Sequence, residues 1–368
     1  MYIHIPFCAH RCDYCDFATW TDRDAVMLEY VDACIRDLQA RYATDAVPPA
    51  DTVFFGGGTP SLLAPDLLAR VLDAVPRGTG AEVTVECNPE SVDARKLATW
   101  RDHGVNRLSL GAQSFVPHVL SSLGRQHEPL AVGSAIALAR THGFERINVD
   151  LIFGAAGESV ADWERTLETA IALDVDHISA YALTVEPGTP LAAKVREGVI
   201  TSPDDDDQAH KYEIADARLT DAGYAWYEIS NWARVGQECR HNLGYWHGGE
   251  WLGIGCAAHG LMNGRRWWNV RTPERYISAI AAGESAEAGS EPLDASRQAE
   301  DHIVLGLRTV AGVELPESAQ VVAAELAADG FLQLDGAHAR LTRSGRLLAN
   351  EVTTRLVLAA NGSPAGSR

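Results

Sequence analysis

Residues Tyr2–Phe17 read YIHIPFCAHRCDYCDF. The run Tyr2–Pro6 is short, apolar and rich in isoleucine, the pattern of a buried strand. A loop carrying Cys8, Cys12 and Cys15 follows at once, in the spacing C-x3-C-x2-C. Phe17 stands two residues after Cys15, where a fourth thiol would close the set. In a parallel α/β barrel the strand ends share one face, and sites are built there.

Outward from this stretch, apolar β-rich runs recur at Thr52–Phe55 (TVFF), Glu82–Glu86 (EVTVE), Arg107–Leu110 (RLSL), Ile147–Phe153 (INVDLIF) and His177–Thr184 (HISAYALT). Helical patterns lie between them. In residues 25–42, Leu28, Val31, Ile35, Leu38 and Tyr42 recur at three- and four-residue steps, one face of a helix. Similar segments fall near Pro65–Val75, Ser91–His103, Pro129–His142 and Ser159–Leu173. Alternating strands and helices predict parallel βαβ units. Six such units predict an α/β fold, a partial TIM-type (β/α)6 barrel over residues 1–230. Beyond it, Glu228–Gly264 is rich in Trp, Tyr, His and Gly and shows no long helical period. Residues 231–290 are therefore expected to form an aromatic, glycine-rich region, then a helix and a loose linker (AAGESAEAGSEP). Residues 291–368 combine amphipathic helices with GFLQLDGAHARLT, a strand-turn-strand pattern. They predict a mostly helical, winged-helix-like domain, and the lack of a strong basic cluster favours a packing module over a DNA reader.

The formal net charge is −19, which argues against a nucleic-acid partner, since phosphate backbones bind through clustered Lys and Arg. The acidic run Asp204–Asp207 after Pro203 fits a solvated helix cap. No apolar run approaches the ~20 residues needed to cross a bilayer, and the first residues lack a signal-peptide pattern. A cytoplasmic location is expected. The seven cysteines are odd in number and three cluster, so a metal or redox site fits better than a disulfide framework. Cys34 sits in an apolar helical pattern and is expected to be a small buried hydrophobe.

Structural zinc and ordinary [4Fe–4S] sites are closed by four ligands. Three thiolates on one loop can hold three irons of a [4Fe–4S] cube and leave the fourth open to a small molecule. A zinc site closed by His10 or His4 and a chance cluster of thiols are the alternatives. Other candidates stand at or just after predicted strands. Gly56–Pro60 (GGGTP) follows TVFF, and its glycines let backbone approach a ligand closely. Glu86 ends EVTVE, Gln113 follows RLSLGA, and Arg125 lies in SSLGRQH. Asp150 lies inside an apolar strand, a costly position without a partner or ligand. An Asp150–Arg125 ion pair and direct ligand contact both fit.

C-x3-C-x2-C after a first strand and GGGTP after a second resemble the radical S-adenosylmethionine (SAM) superfamily, and the likeness runs from Tyr2 to past residue 310. It implies a [4Fe–4S] cluster on Cys8, Cys12 and Cys15, with SAM's amino and carboxylate groups on the open iron. Electron transfer from the reduced cluster would cleave SAM to a 5′-deoxyadenosyl radical. The resemblance places Tyr2, Tyr14, Gly57, Gly58, Thr59, Glu86, Gln113, Arg125 and Asp150 around SAM. Tyr14 would cover the adenine, or else pack within its loop.

More narrowly, the chain resembles the branch holding anaerobic coproporphyrinogen III dehydrogenases (HemN) and heme chaperones (HemW). The dehydrogenase pattern is C-x3-C-x2-C-x-C behind an N-terminal extension. Here Phe17 takes the extra cysteine's place and the first strand begins at Tyr2, so the chaperone side is favoured and no catalytic residue is assigned. His241-Asn242-Leu243-Gly244-Tyr245-Trp246 matches the H-N-x-x-Y-W motif associated with heme binding in that group. The resemblance implies that His241, Asn242, Tyr245 and Trp246 bind heme, with His241 the leading iron ligand. His247, His259, Cys239 and Cys256 are further candidates. The other reading is that these aromatics close the barrel's open side and His241 only makes a hydrogen bond. Implied partners are heme and apo-hemoproteins, respiratory enzymes at the membrane among them. The runner-up is a radical SAM oxidoreductase acting on a tetrapyrrole.

Overall fold

The computed structural model describes residues 1–44 and 47–362. Six strands, β1 (Tyr2–Ile5), β2 (Ala50–Gly57), β3 (Arg77–Cys87), β4 (Arg107–Gln113), β5 (Arg146–Phe153) and β6 (His177–Ala182), pair in parallel in chain order. The connecting helices are α1 (Met27–Thr44), α2 (Pro65–Asp73), α3 (Ala94–Asp102), the pair α4 (Pro117–Ser122) and α5 (Pro129–Thr141), and α6 (Val160–Ala172). Each expected strand and helix is present, with its ends moved by a few residues. This is the partial (β/α)6 barrel, because only parallel crossovers let every helix cover the same sheet.

Helix α1 buries a face rotated from the expected stripe. Tyr30, Val31, Cys34 and Leu38 are buried, whereas Leu28 is 53% exposed. Small Ala33 and Cys34 seat the helix close to the sheet. Asp37, also buried, accepts a hydrogen bond from the Tyr276 hydroxyl at 2.7 Å and pairs with Arg41 at 3.2 Å.

After β6 come α7 (Pro190–Arg196) and α8 (Asp205–Asp221). The acidic run opens α8: the Asp204 side chain caps the Asp207 amide, and Asp207 pairs with fully buried Lys211. β7 (Ala225–Glu228) and β8 (Asn231–Ala233) then add an antiparallel edge beside β6, and β9 (Gly253–Ile254) runs parallel to β1 at the other edge. Helix α9 (Arg240–Trp246) lies between β8 and β9.

A second sheet is formed by β10 (His259–Met262), β11 (Arg265–Asn269) and β12 (Glu287–Pro292), with α10 (Pro273–Ala281) before β12. The expected loose linker is thus partly a strand. Small residues explain it: Gly289 lies opposite Trp268, and a Cβ there would meet the indole at 2.5 Å. Leu252, Ile254, Cys256, Trp267 and Tyr276 join the same core as the barrel strands.

The C-terminal unit holds α11 (Ala295–Gly306), β13 (Val313–Glu314), α12 (Gln320–Ala328), the hairpin β14 (Leu332–Asp335) and β15 (His338–Leu341), α13 (Arg343–Leu347) and α14 (Ala349–Ala360). The helices and wing-like hairpin enclose a separate core around Ile303, Leu307, Leu326, Val352 and Leu356. Residues 363–368 of the expected domain lie outside the described residues. Main-chain hydrogen bonds Ile229–Arg308 (3.0 Å) and Val310–Tyr227 (2.9 Å) dock this unit on β7. Asp216 binds both terminal nitrogens of Arg346 at 2.9 Å. Asp216 also pairs with Arg343 at 2.8 Å, so two arginines share one nearly buried carboxylate. Among the described residues no helix is long and apolar enough to cross a membrane.

Candidate functional site

The cysteine loop is tied at its neck. Cys8 N–H donates to the Trp20 carbonyl at 3.0 Å, and Trp20 N–H donates to Pro6 at 2.8 Å. Its middle is clamped by Asp13, whose carboxylate meets Lys194 at 2.6 Å and whose carbonyl accepts from Leu191 at 2.9 Å. Cys12 and Cys15 are joined by a turn hydrogen bond of 3.2 Å. The loop is fixed at three points, and its cysteines are free of disulfides.

The glycine loop after β2 packs beneath it. Gly57 has φ +111°, and a Cβ there would sit 2.4 Å from the His4 ring. A Cβ on Gly58 would lie 2.7 Å from the Phe7 carbonyl. Both positions need glycine, one for its dihedral angle and both for close approach. The Thr59 hydroxyl points at Cys8 Sγ (3.6 Å) and accepts from Asn88 Nδ2 (3.2 Å).

A cavity of about 370 Å³ opens between these loops. It is lined by Cys8, Cys12, Tyr14, Cys15, Gly57, Gly58, Thr59, Glu86, Gln113, Arg125 and Asp150. Of the residues expected around SAM, Tyr2 alone is absent from this lining. Its ring instead stacks on Phe54 and its hydroxyl meets His4 Nδ1 at 3.1 Å. Tyr14 borders the cavity and also packs against the Val116, Val119 and Leu183 cluster.

Arg125 and Asp150 do not pair with each other. Arg125 Nη2 donates to Asn88 Oδ1 (2.9 Å) and the Gly111 carbonyl (2.8 Å), Nη1 lies 3.5 Å from Cys12 Sγ, and Nε is buried without a hydrogen-bond partner among the described residues. Asp150 accepts from Ser109 and Asn148, each at 2.8 Å. Glu86 accepts from Gly57 N–H at 3.1 Å. Burial, reinforced by the nearby Asp150 charge, pushes the Glu86 carboxyl up to about 8, and burial raises Asp150 as well. Gln113 has φ +65° at a register shift between β4 and β5. A bulge with a strained non-glycine residue re-aims a side chain at a site edge.

This donor set fits an iron–sulfur cluster with a zwitterionic ligand: three thiols on one loop, bare main chain at two glycines, carboxyls for an ammonium group and a guanidinium with one nitrogen unmatched. Sequence reasoning missed Asn88, Ser109 and Tyr181, which also line the cavity. Asn88 had a signal, since Asn-Pro ends β3 on the same face.

The 240–260 stretch is arranged differently. His241 is 5% exposed and stacks on Phe54 at 5.0 Å. Its Nδ1 shares a hydrogen bond with Thr52 Oγ1 (2.8 Å) and its Nε2 with Tyr245 Oη (2.9 Å). Burial holds its basicity well below the usual histidine value. An iron bond from His241 therefore requires one of these hydrogen bonds to break. His241 and Asn242 face an inner chamber of about 150 Å³, walled by Arg107, Ser109, Asn148, Asp150 and His177. Trp246 lies under the Arg308 guanidinium at 4.3 Å. Cys239 and Cys256 are buried, which pushes their thiols up to about 11 and about 12. His247 is exposed just past α9.

Tyr245 also borders a larger open pocket of about 570 Å³, together with Tyr2, Phe17, Trp251, His259, Trp268 and Arg271. Asp16 and Phe17 line both this pocket and the cysteine cavity, so the two spaces adjoin.

Residues 2–170 match the Radical SAM superfamily and residues 293–348 match the HemN C-terminal domain. The protein named heme chaperone HemW in Mycobacterium tuberculosis is 44% identical over 370 residues, covering 97% of this chain and 94% of its own. The protein of that name in Bacillus subtilis is 35% identical over 95% of this chain and 97% of its own. The solved coproporphyrinogen III oxidase HemN of Escherichia coli superposes with a TM-score of 0.84 at 22% identity, covering 96% of this chain and 89% of that one. That structural likeness gives the fold, while the closer sequence relatives give the branch. The chain belongs to the HemW family of radical SAM proteins.

Proposed function

We propose that this chain is a cytoplasmic heme chaperone that binds heme and delivers it to apo-hemoproteins, membrane-associated respiratory enzymes among them. We assign a [4Fe–4S] cluster to Cys8, Cys12 and Cys15, and SAM to the cavity beside it. When bound, the cluster supplies a one-electron donor and an open iron to which an amino acid can chelate.

The chain's own residues support binding and orientation there. Gly57 and Gly58 bare main-chain groups to the ligand. Arg125, with its buried unpartnered Nε, matches a carboxylate. Glu86 and Asp150 are costly as carboxylates in the ligand-free cavity, and a cationic ligand relieves that cost. Heme is assigned to the region around His241, Asn242, Tyr245 and Trp246. The observation that carries the reading is the adjacency of two spaces: a three-thiol cavity, and an aromatic-walled pocket edged by Tyr245 of the H-N-x-x-Y-W motif.

The test has two arms. Heme-loaded protein mixed with apo-myoglobin should lose its Soret band as holo-myoglobin appears. Cluster-reconstituted protein given coproporphyrinogen III, SAM and reductant should yield no protoporphyrinogen. Protoporphyrinogen formation without heme binding would replace the chaperone reading with the oxidoreductase one.

A further inference from the structure

We propose that His259 is the axial ligand to heme iron, that the macrocycle lies in the pocket between Tyr245, Trp251 and Trp268, and that His241 is a positioning residue. This rests on the heme-binding reading above and goes beyond the motif to a residue outside it.

The two histidines differ in what is left to bind a metal. An imidazole coordinates iron through a free nitrogen lone pair. His241 has none free, with Thr52 on one nitrogen and Tyr245 on the other. The His259 side chain is exposed at the start of β10, and neither ring nitrogen has a hydrogen-bond partner among the described residues. It lines the open pocket, which His241 does not. Partial burial and the Arg266 charge lower the basicity of His259, favouring the neutral ring that metals take.

The pocket matches a flat, largely apolar ligand; its charged wall residues are Arg271 and Asp16. About 570 Å³ falls within the roughly 300–1,000 Å³ usual for small-molecule sites. His259 and Trp268 are cross-strand partners with ring centroids 6.1 Å apart, so an indole flanks the imidazole. Large aromatic rings pack well on a macrocycle. Arg271 borders the same space without an ion-pair partner among the described residues, and suits a propionate.

The motif supports this arrangement from behind. Tyr245, held by His241, meets Trp251 edge-on at 4.9 Å and 88°. Trp251 Nε1 then donates to the His259 carbonyl at 2.9 Å. Side chains thus connect His241, inside the barrel, to the main chain that presents His259. The segment just before it holds Ala257 at φ +55°, a strained conformation for a non-glycine residue.

Heme titration of the full chain, followed by Soret spectroscopy, separates the possibilities. His259→Ala should weaken binding by about tenfold or more and shift the band, and added imidazole should restore the wild-type spectrum. His259→Met should bind heme with a different spectrum, because a thioether replaces the imidazole. His241→Ala should keep the wild-type spectrum and lower affinity only a few-fold. Circular dichroism of each variant checks folding. If wild-type protein binds heme and His259→Ala matches it in band and affinity, the ligand assignment is overturned and the chaperone reading survives. If imidazole rescues His241→Ala and not His259→Ala, His241 is the ligand. If wild-type protein binds no heme, both readings fall together.

Discussion

The cysteine loop with its cavity and the aromatic region after residue 240 adjoin in space, yet they are built on opposite principles. At the cavity, the candidate side chains sit on or just beyond the end of a parallel strand, except Arg125, which comes from the loop between α4 and α5. The sheet alone carries them to one face, and local pattern is enough to place them. In the aromatic region the candidates sit on a seven-residue helix, in the loops beside a two-residue strand, and on an antiparallel sheet. Which of them faces a ligand depends on how those pieces turn against the barrel. Strand-end sites can be read residue by residue, whereas sites made by packing are read only to within a segment.

The largest effect expected is at the thiols. Cys12→Ser should reduce iron uptake on anaerobic reconstitution from about four per chain to near zero. Heme binding by the same variant should stay within a few-fold of wild type. Parallel loss of heme would show that the two regions are one site.

Next is the glycine cradle. Gly57→Ala places a Cβ against His4 at a left-handed dihedral angle. We expect a loss of about 2–4 kcal/mol in chemical denaturation, from strain plus overpacking. An unchanged midpoint would mean that the loop is looser than its contacts indicate.

A smaller effect concerns Glu86 in the ligand-free protein. Its carboxyl is raised to about 8 from 4.5, so the folded state holds a proton that the unfolded chain releases. Its contribution is fully present below pH 4.5 and is lost as pH rises through about 8. Glu86→Gln should therefore gain stability relative to wild type as pH rises through that window, and should show no gain near pH 4. Thermal melts across pH check the sign. Weaker SAM binding by Glu86→Gln, with the cluster intact, would tie the same carboxyl to the ligand.

The smallest effect is expected from Tyr245→Phe. It removes one hydrogen bond to His241 and keeps the ring against Trp251. Heme affinity should fall about two- to five-fold, the equivalent of one modest hydrogen bond, with the Soret position unchanged. A moved band would place Tyr245 in direct contact with iron.

Much of the cavity was legible in the chain because its signals are local. C-x3-C-x2-C lies on one short loop, GGGTP allows close backbone approach, and Asp150 is conspicuous inside an apolar strand. Tyr2 stands apart from the thiol cavity for an equally physical reason. Strand side chains alternate, and Tyr2 lies at the start of β1, so its ring reaches Phe54 and the neighbouring spaces instead of the thiol cavity.

The sequence by itself determined the six βα units, the three-thiol loop and most of the strand-end residues that line the cavity, because periodicity and short spacings act over a few residues. Only the tertiary structure decided which face of α1 is buried, that Glu287–Pro292 becomes a strand, and which histidine keeps a free nitrogen. Those outcomes depend on long-range partners: Cys34 against the core, Gly289 under Trp268, and Thr52 and Phe54 around His241. His241 and His259 are the same residue type in the same glycine-rich stretch. One was taken up by the barrel and the other left at the pocket because burial direction is set by what a segment packs against.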